Sequence, residues 1–293
     1  MKISRTLSVT LLLLSLLIAG TMFAEDRSDE SGGRYLALGD SLAFGYIIQA
    51  GFEYVNPENF VSYADYTARM LRFDLVNAAC PGETSGSFLS TSAPDLGCRD
   101  IRAVFPLHVA YSSTQIDFAT AYLKAHPRTI RLLTIDIGAN DVFLLQNACA
   151  QTTNPEQCVQ SALPGVLGMI ELNVETILGE LRATGYKGVI VVANYYSLDF
   201  SDPQQNQLAA AVNAVLAGAA SAHGAVIADV FTAFRNALPT TLTGDNFTCK
   251  AGLLNPTPQN QFVCDIHASQ SGHRLIAKAI ASAYAAARKK DGD

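Results

Sequence analysis

The sequence is short of positive charge. Lysine and arginine together number 20 in 293 residues, against 26 aspartates and glutamates, for a formal charge of −6. So few cations argue against a nucleic-acid partner and against binding to an anionic membrane surface. Long apolar runs are also scarce: beyond the first 24 residues, no stretch reads as long and uncharged enough to cross a bilayer. No cysteine pair has the C-x-x-C spacing of a zinc site, so no metal is expected. No serine lies in G-x-S-x-G, which removes the sharp nucleophile elbow of the α/β-hydrolases. No G-x-G-x-x-G follows the first strand-like run, which removes the dinucleotide-binding reading.

What is present begins with Lys2 and Arg5 ahead of an apolar run from Leu11 to Ala19, with Ala24 as a cleavage edge. Residues 1–24 therefore read as a secretory leader, and the mature chain as secreted or periplasmic. Without Lys2 and Arg5 the formal charge moves from −6 to −8. Residues 25–293 are expected to form one domain, with polar, frayed ends at 25–33 and 289–293, and to act as a monomer. Apolar content of 49% is ample for a core. Six cysteines fall in near pairs, Cys80 with Cys98, Cys149 with Cys158 and Cys249 with Cys264. In an exported chain this even count argues for three local disulfides, although spacing alone does not settle the connectivity.

Periodicity alternates between strand and helix five times. Strand-like runs end near Gly39, Ala78, Ile137, Ala193 and Val230. Helix-like runs cover Phe60–Leu71, Thr114–Ala125 with Ser113 as a cap, Pro164–Thr184, Pro203–His223 and Gln270–Lys290. Leu89 to Val109 reads as irregular, and the length of the 85–111 segment suggests a lid. This alternation predicts a doubly wound α/β domain with a five-stranded parallel sheet covered on both faces.

Three strand ends then carry polar clusters to one sheet edge: Gly39-Asp40-Ser41, Asn77 through Gly82, and Gly138-Ala139-Asn140-Asp141. A fourth, Asp265-Ile266-His267, lies ahead of the last helix. Each alone has a plain explanation as a turn, a cap or a surface histidine. Together and in this order they resemble the four blocks of the SGNH (GDSL) hydrolase family, over essentially the whole mature chain. The resemblance implies a flavodoxin-like three-layer α/β/α sandwich and a serine hydrolase acting on carboxylic esters, of lipase or esterase type, without cofactor. Its substrate would be a small-molecule, lipid or glycan ester.

Carried over, the family pattern makes Ser41 the nucleophile and His267 its general base. The oxyanion donors would be the backbone N–H groups of Ser41 and Gly82 and the side-chain amide of Asn140. The family usually places the acid three positions before the histidine, which here is Cys264. The carboxylate is Asp265, two before, and it is expected to orient His267, with a main-chain carbonyl as the alternative. Asp40 reads as shaping the loop, Asp141 as a turn and cap residue, and His273 as structural. Phe44, Tyr46, Phe143, Tyr195 and Tyr196 flank the blocks and are expected to wall the substrate pocket. The alternatives are a carbohydrate acetyl esterase using the same residues, and a non-catalytic glycan- or lipid-binding module.

Overall fold

The computed structural model describes residues 33–48, 54–257 and 260–290, the side chains of 260–262 excepted. The expected leader, residues 25–32 and residues 291–293 lie outside these. Strand β1 (Arg34–Gly39) runs into a single helical turn, α1 (Ser41–Phe44), capped by the Asp40 carboxylate, which accepts the Leu42 N–H at 2.9 Å. Helix α2 (Tyr63–Leu71) opens on a reciprocal cap between Ser62 and Asp65 and leads into β2 (Asp74–Asn77).

Two short helices, α3 (Ser85–Leu89) and α4 (Cys98–Val104), lie at the start of and within the stretch that reads as irregular. At five and seven residues they are too brief for periodicity to register. Helix α5 (Gln115–Ala125) is capped by Thr114, paired with Asp117, and not by Ser113. Then come β3 (Ile130–Asp136), α6 (Ala139–Cys149), α7 (Pro155–Ala183), β4 (Val189–Ala193), α8 (Pro203–Ala222), β5 (Val226–Ala228), α9 (Val230–Asn236) and α10 (Phe247–Lys250). An antiparallel hairpin, β6 (Leu254–Thr257) and β7 (Asn260–Ala268), precedes α11 (Gln270–Lys290). The last helix runs to Lys290, as its periodicity predicts.

The five-stranded sheet is parallel throughout, in the order β2-β1-β3-β4-β5. Successive side chains point to opposite faces. In β1, Tyr35 and Ala37 enter one apolar layer, with α2, α9 and α11, while Leu36 and Leu38 enter the other, with α5, α7 and α8. The order reverses at β1, between β2 and β3, and such a switch point opens a crevice at the strands' carboxyl ends.

Helix α7 departs from expectation. It starts nine residues before Pro164, at Pro155, behind an Asn154 cap, and its 29 residues are long and apolar enough to cross a membrane. A helix begun at Pro164 leaves out the uncharged residues 157–163, and without them no such segment is expected. In the fold, Ile170, Val174, Ile177, Leu178 and Leu181 pack into the second apolar layer.

Gly39 closes β1 with φ +134°, and a Cβ there would sit 2.3 Å from the Asp136 carbonyl oxygen. β1 and β3, which carry Gly39 and Asp136, are both interior strands with nowhere to retreat. Gly39→Ala is expected to destabilise the protein by about 2–4 kcal/mol. Urea unfolding measures this, and an unchanged midpoint would refute the assignment.

Candidate active site

Ser41 is the first residue of α1, where the chain leaves β1, and its Oγ lies 3.1 Å from His267 Nε2. His267 belongs to β7, and its Nδ1 is 3.0 Å from Asp265 Oδ1. The same oxygen accepts the His267 backbone N–H. The offset of two follows from the strand: residues i and i+2 of an extended chain share a face, so Asp265 stands beside the ring it contacts. An offset of three would suit a helical turn.

Three contacts hold β7 in place. Tyr196 Oη donates to the Ile266 carbonyl at 2.7 Å, the Tyr46 ring centroid lies 5.0 Å from that of His267, and Cys264 is bonded to Cys249. The other two disulfides join Cys80 to Cys98 and Cys149 to Cys158.

Asn140 is the second residue of α6, and its Nδ2 donates to the Glu83 carbonyl at 2.9 Å. An amide has two N–H donors, so this bond orients the group and leaves a second donor. Gly82 has φ +82°, and a Cβ on it would meet the Leu96 carbonyl oxygen at 2.4 Å. Glycine is therefore required there by the neighbouring chain as well as by backbone conformation. Asp141 does not cap its own helix: its carboxylate binds the Ser85 N–H and hydroxyl at 2.9 and 2.7 Å, tying α6 to α3.

Ser41, Asn140 and His267 line one open cleft of about 820 Å³. Phe143, Tyr195 and Tyr196 line it too, with Leu42, Val142, Leu198, Leu208 and Val212. Phe44 does not: it is 2% exposed and packs on Phe60 and His108, because α1 turns that side chain into the core. Tyr46 stands against His267 and not among the lining residues. The α8 contribution, Gln205, Leu208, Ala209 and Val212, was missed. Its helical spacing is indistinguishable in sequence from a stripe facing the core.

The sequence model of the GDSL-like Lipase/Acylhydrolase family matches residues 37–275, from β1 into α11 and including every residue just described. The chain belongs to the GDSL-like lipase/acylhydrolase family. No curated protein matches the sequence. Solved structures share its fold. One is the extracellular lipase of Streptomyces rimosus, at 17% identity and TM-score 0.56, covering 86% of this chain and 100% of that one. Another is the acetylxylan esterase Axe2 of Geobacillus stearothermophilus, at 17% and 0.54, covering 86% and 94%. A lipase from a goat-rumen metagenome aligns at 16% and 0.52, covering 86% and 97%. As a family member the protein is a carboxylic ester hydrolase, on a flavodoxin-like fold.

Beneath the acylhydrolase site lie buried acids, among them Asp136, which sequence did not single out. Asp136, at the end of β3, is fully buried; Oδ1 accepts the Tyr63 hydroxyl, and Oδ2 has no donor among the described residues. Burial and the adjoining Asp40 charge raise its carboxyl well above the usual range. Asp40, also raised by burial, accepts the Tyr195 hydroxyl at 2.9 Å. Cys80, Glu83 and Cys98 form the one grouping of potential metal ligands among the described residues, but both sulfurs are in a disulfide.

Burial also pushes Glu83 up to about 7, from an ordinary 4.5. Between those values the unfolded chain ionises while the folded one keeps its proton, so Glu83 lowers stability as pH rises across this window. Glu83→Gln removes that slope. Relative to the variant, the wild type should lose about 2–3 kcal/mol between pH 4.5 and 7 and only a few tenths more above. Urea unfolding of both proteins at pH 5 and pH 8 tests this, and parallel pH dependences would contradict it.

Proposed function

We propose that the protein is an exported serine esterase that hydrolyses carboxylic esters through an acyl-enzyme on Ser41. The observation that carries this is the 3.1 Å contact between Ser41 Oγ and His267 Nε2, in series with Asp265. A serine hydroxyl is a weak nucleophile until a positioned base takes its proton. As Oγ bonds to the ester carbon, Nε2 accepts that proton and the carbonyl electron pair moves onto oxygen. The Asp265 carboxylate stabilises the imidazolium so formed. The oxyanion is met by the N–H groups of Ser41 and Gly82 and the Asn140 amide, preset by its bond to Glu83. Collapse expels the alkoxide, which takes the proton back from Nε2 and leaves as an alcohol. Water then repeats the sequence on the acyl-enzyme and releases the acid.

The leaving oxygen has to lie within reach of Nε2, so the alcohol departs on the His267 side of the cleft. The acyl group then points toward the apolar walls of α6 and α8, where Val142, Phe143, Leu208 and Val212 can cover a hydrocarbon chain. Those walls favour a lipase or esterase over a carbohydrate acetyl esterase, and a non-catalytic binding module has no use for an imidazole on the serine. Export is supported by three disulfides, which persist outside reducing compartments.

Ser41→Ala is expected to lower kcat on p-nitrophenyl butyrate by at least about 10⁴-fold. Asn140→Ala should lower it by roughly 10²- to 10³-fold. Steady-state kinetics measures both, and wild-type turnover in the Ser41 variant would refute the mechanism. In a p-nitrophenyl series, kcat/KM should rise from acetate to longer chains by up to about fourfold per methylene, the yield of burying about 0.8 kcal/mol. Acetate as the best substrate would favour the acetyl esterase.

A further inference from the structure

Gln115 opens α5, on a helix otherwise concerned with covering the sheet, yet it is fully buried. Its amide reaches 76 positions back along the chain. Oε1 accepts the Gly39 N–H at 2.6 Å, and Nε2 donates to the Gly39 carbonyl at 3.0 Å. One side chain thus pairs with both main-chain groups of the last residue of β1, two positions before Ser41. The second Nε2 proton goes to Glu83 Oε2 at 3.1 Å. Glu83 directly follows Gly82, and its carbonyl is the group that holds the Asn140 amide.

All of the amide's hydrogens are therefore assigned, and its orientation is forced. Reversing it would set a donor against the Gly39 N–H and an acceptor against two acceptors. Neither a carboxylate nor a thioether can accept at one end and donate twice at the other. In a site sealed from water such a network is stiff, and a partly satisfied one is costly.

We propose that Gln115 is a positioning residue that joins the Ser41 turn to the Gly82 turn and so sets the mutual spacing of the three oxyanion donors. This rests on the reading of Ser41, Gly82 and Asn140 as those donors. A gap opened between the two turns would weaken contacts made only in the transition state, so it acts on kcat and leaves KM nearly alone.

The test compares wild type, Gln115→Glu and the double variant Gln115→Glu/Glu83→Gln on p-nitrophenyl butyrate, with active sites titrated by a fluorophosphonate. Gln115→Glu keeps the bond from the Gly39 N–H but sets two carboxyls face to face. Glu83→Gln then restores the hydrogen bond between the two side chains with its donor on the other side, while the Gly39 carbonyl still lacks the Gln115 donor. In the single variant, kcat per titrated site should fall about 10- to 100-fold, with KM within about threefold. The double variant should recover at least about fivefold of that loss. Fewer titratable sites with unchanged kcat per site would mean that Gln115 only supports folding, and would overturn the proposal. So would a double variant no better than the single. Wild type that neither titrates nor turns over would instead bring down the esterase reading, and this inference with it.

Discussion

The site depends on one hydrogen bond between residues 226 positions apart, Ser41 to His267. Such a bond contributes on the order of 1 kcal/mol, far less than the chain entropy lost in bringing its ends together. It exists because each end is fixed by something else. Ser41 is held by β1 and by the Asp40 cap on α1. His267 is held by the β6–β7 hairpin, the Cys249–Cys264 bond, the Tyr196 hydroxyl and the Asp265 carboxylate. The sheet and hairpin carry the energetics, and the reactive contact is their consequence.

Below that contact the core is unusually polar. Asp40 and Asp136 are buried at strand ends, and Glu83 and Gln115 are buried beside them, bonded to each other, with Gln115 also bonded to Gly39. His273 belongs with them: burial holds its imidazole down at about 3, so it stays neutral and its Nδ1 accepts the Tyr63 N–H at 3.1 Å. Tyr63 in turn donates to Asp136. Apolar residues would fill this volume at lower desolvation cost, but they could not satisfy main-chain groups where strands give way to turns. The polar bed is what lets three loops meet with their backbones oriented.

Much of this was legible in the sequence, for reasons that differ by element. The five strands show as short apolar runs bounded by turn residues, and α8 and α11 show because a long amphipathic helix repeats its signal several times. Ser41, Gly82, Asn140 and His267 stood out because their motifs are local. The hairpin did not show, since β7 exposes Val263 and Ile266 and so lacks the alternation of a half-buried strand. Helix α6 hid behind Gly138-Ala139-Asn140-Asp141, which reads equally well as a turn. Phe44 was misplaced because adjacency to Ser41 in sequence says nothing of which way a helical turn points its side chains. Gln115, Glu83 and Asp136 escaped because their partners are distant in the chain, and a buried amide or acid has no local signature.

The most direct test of the account is to treat the protein with a fluorophosphonate and map the adduct by peptide mass spectrometry, in the wild type and in His267→Ala. The account predicts a single stoichiometric adduct on Ser41 in the wild type, and labelling slowed by at least about 10³-fold without the imidazole. An adduct on another residue, or labelling of Ser41 at the same rate in both proteins, would contradict it.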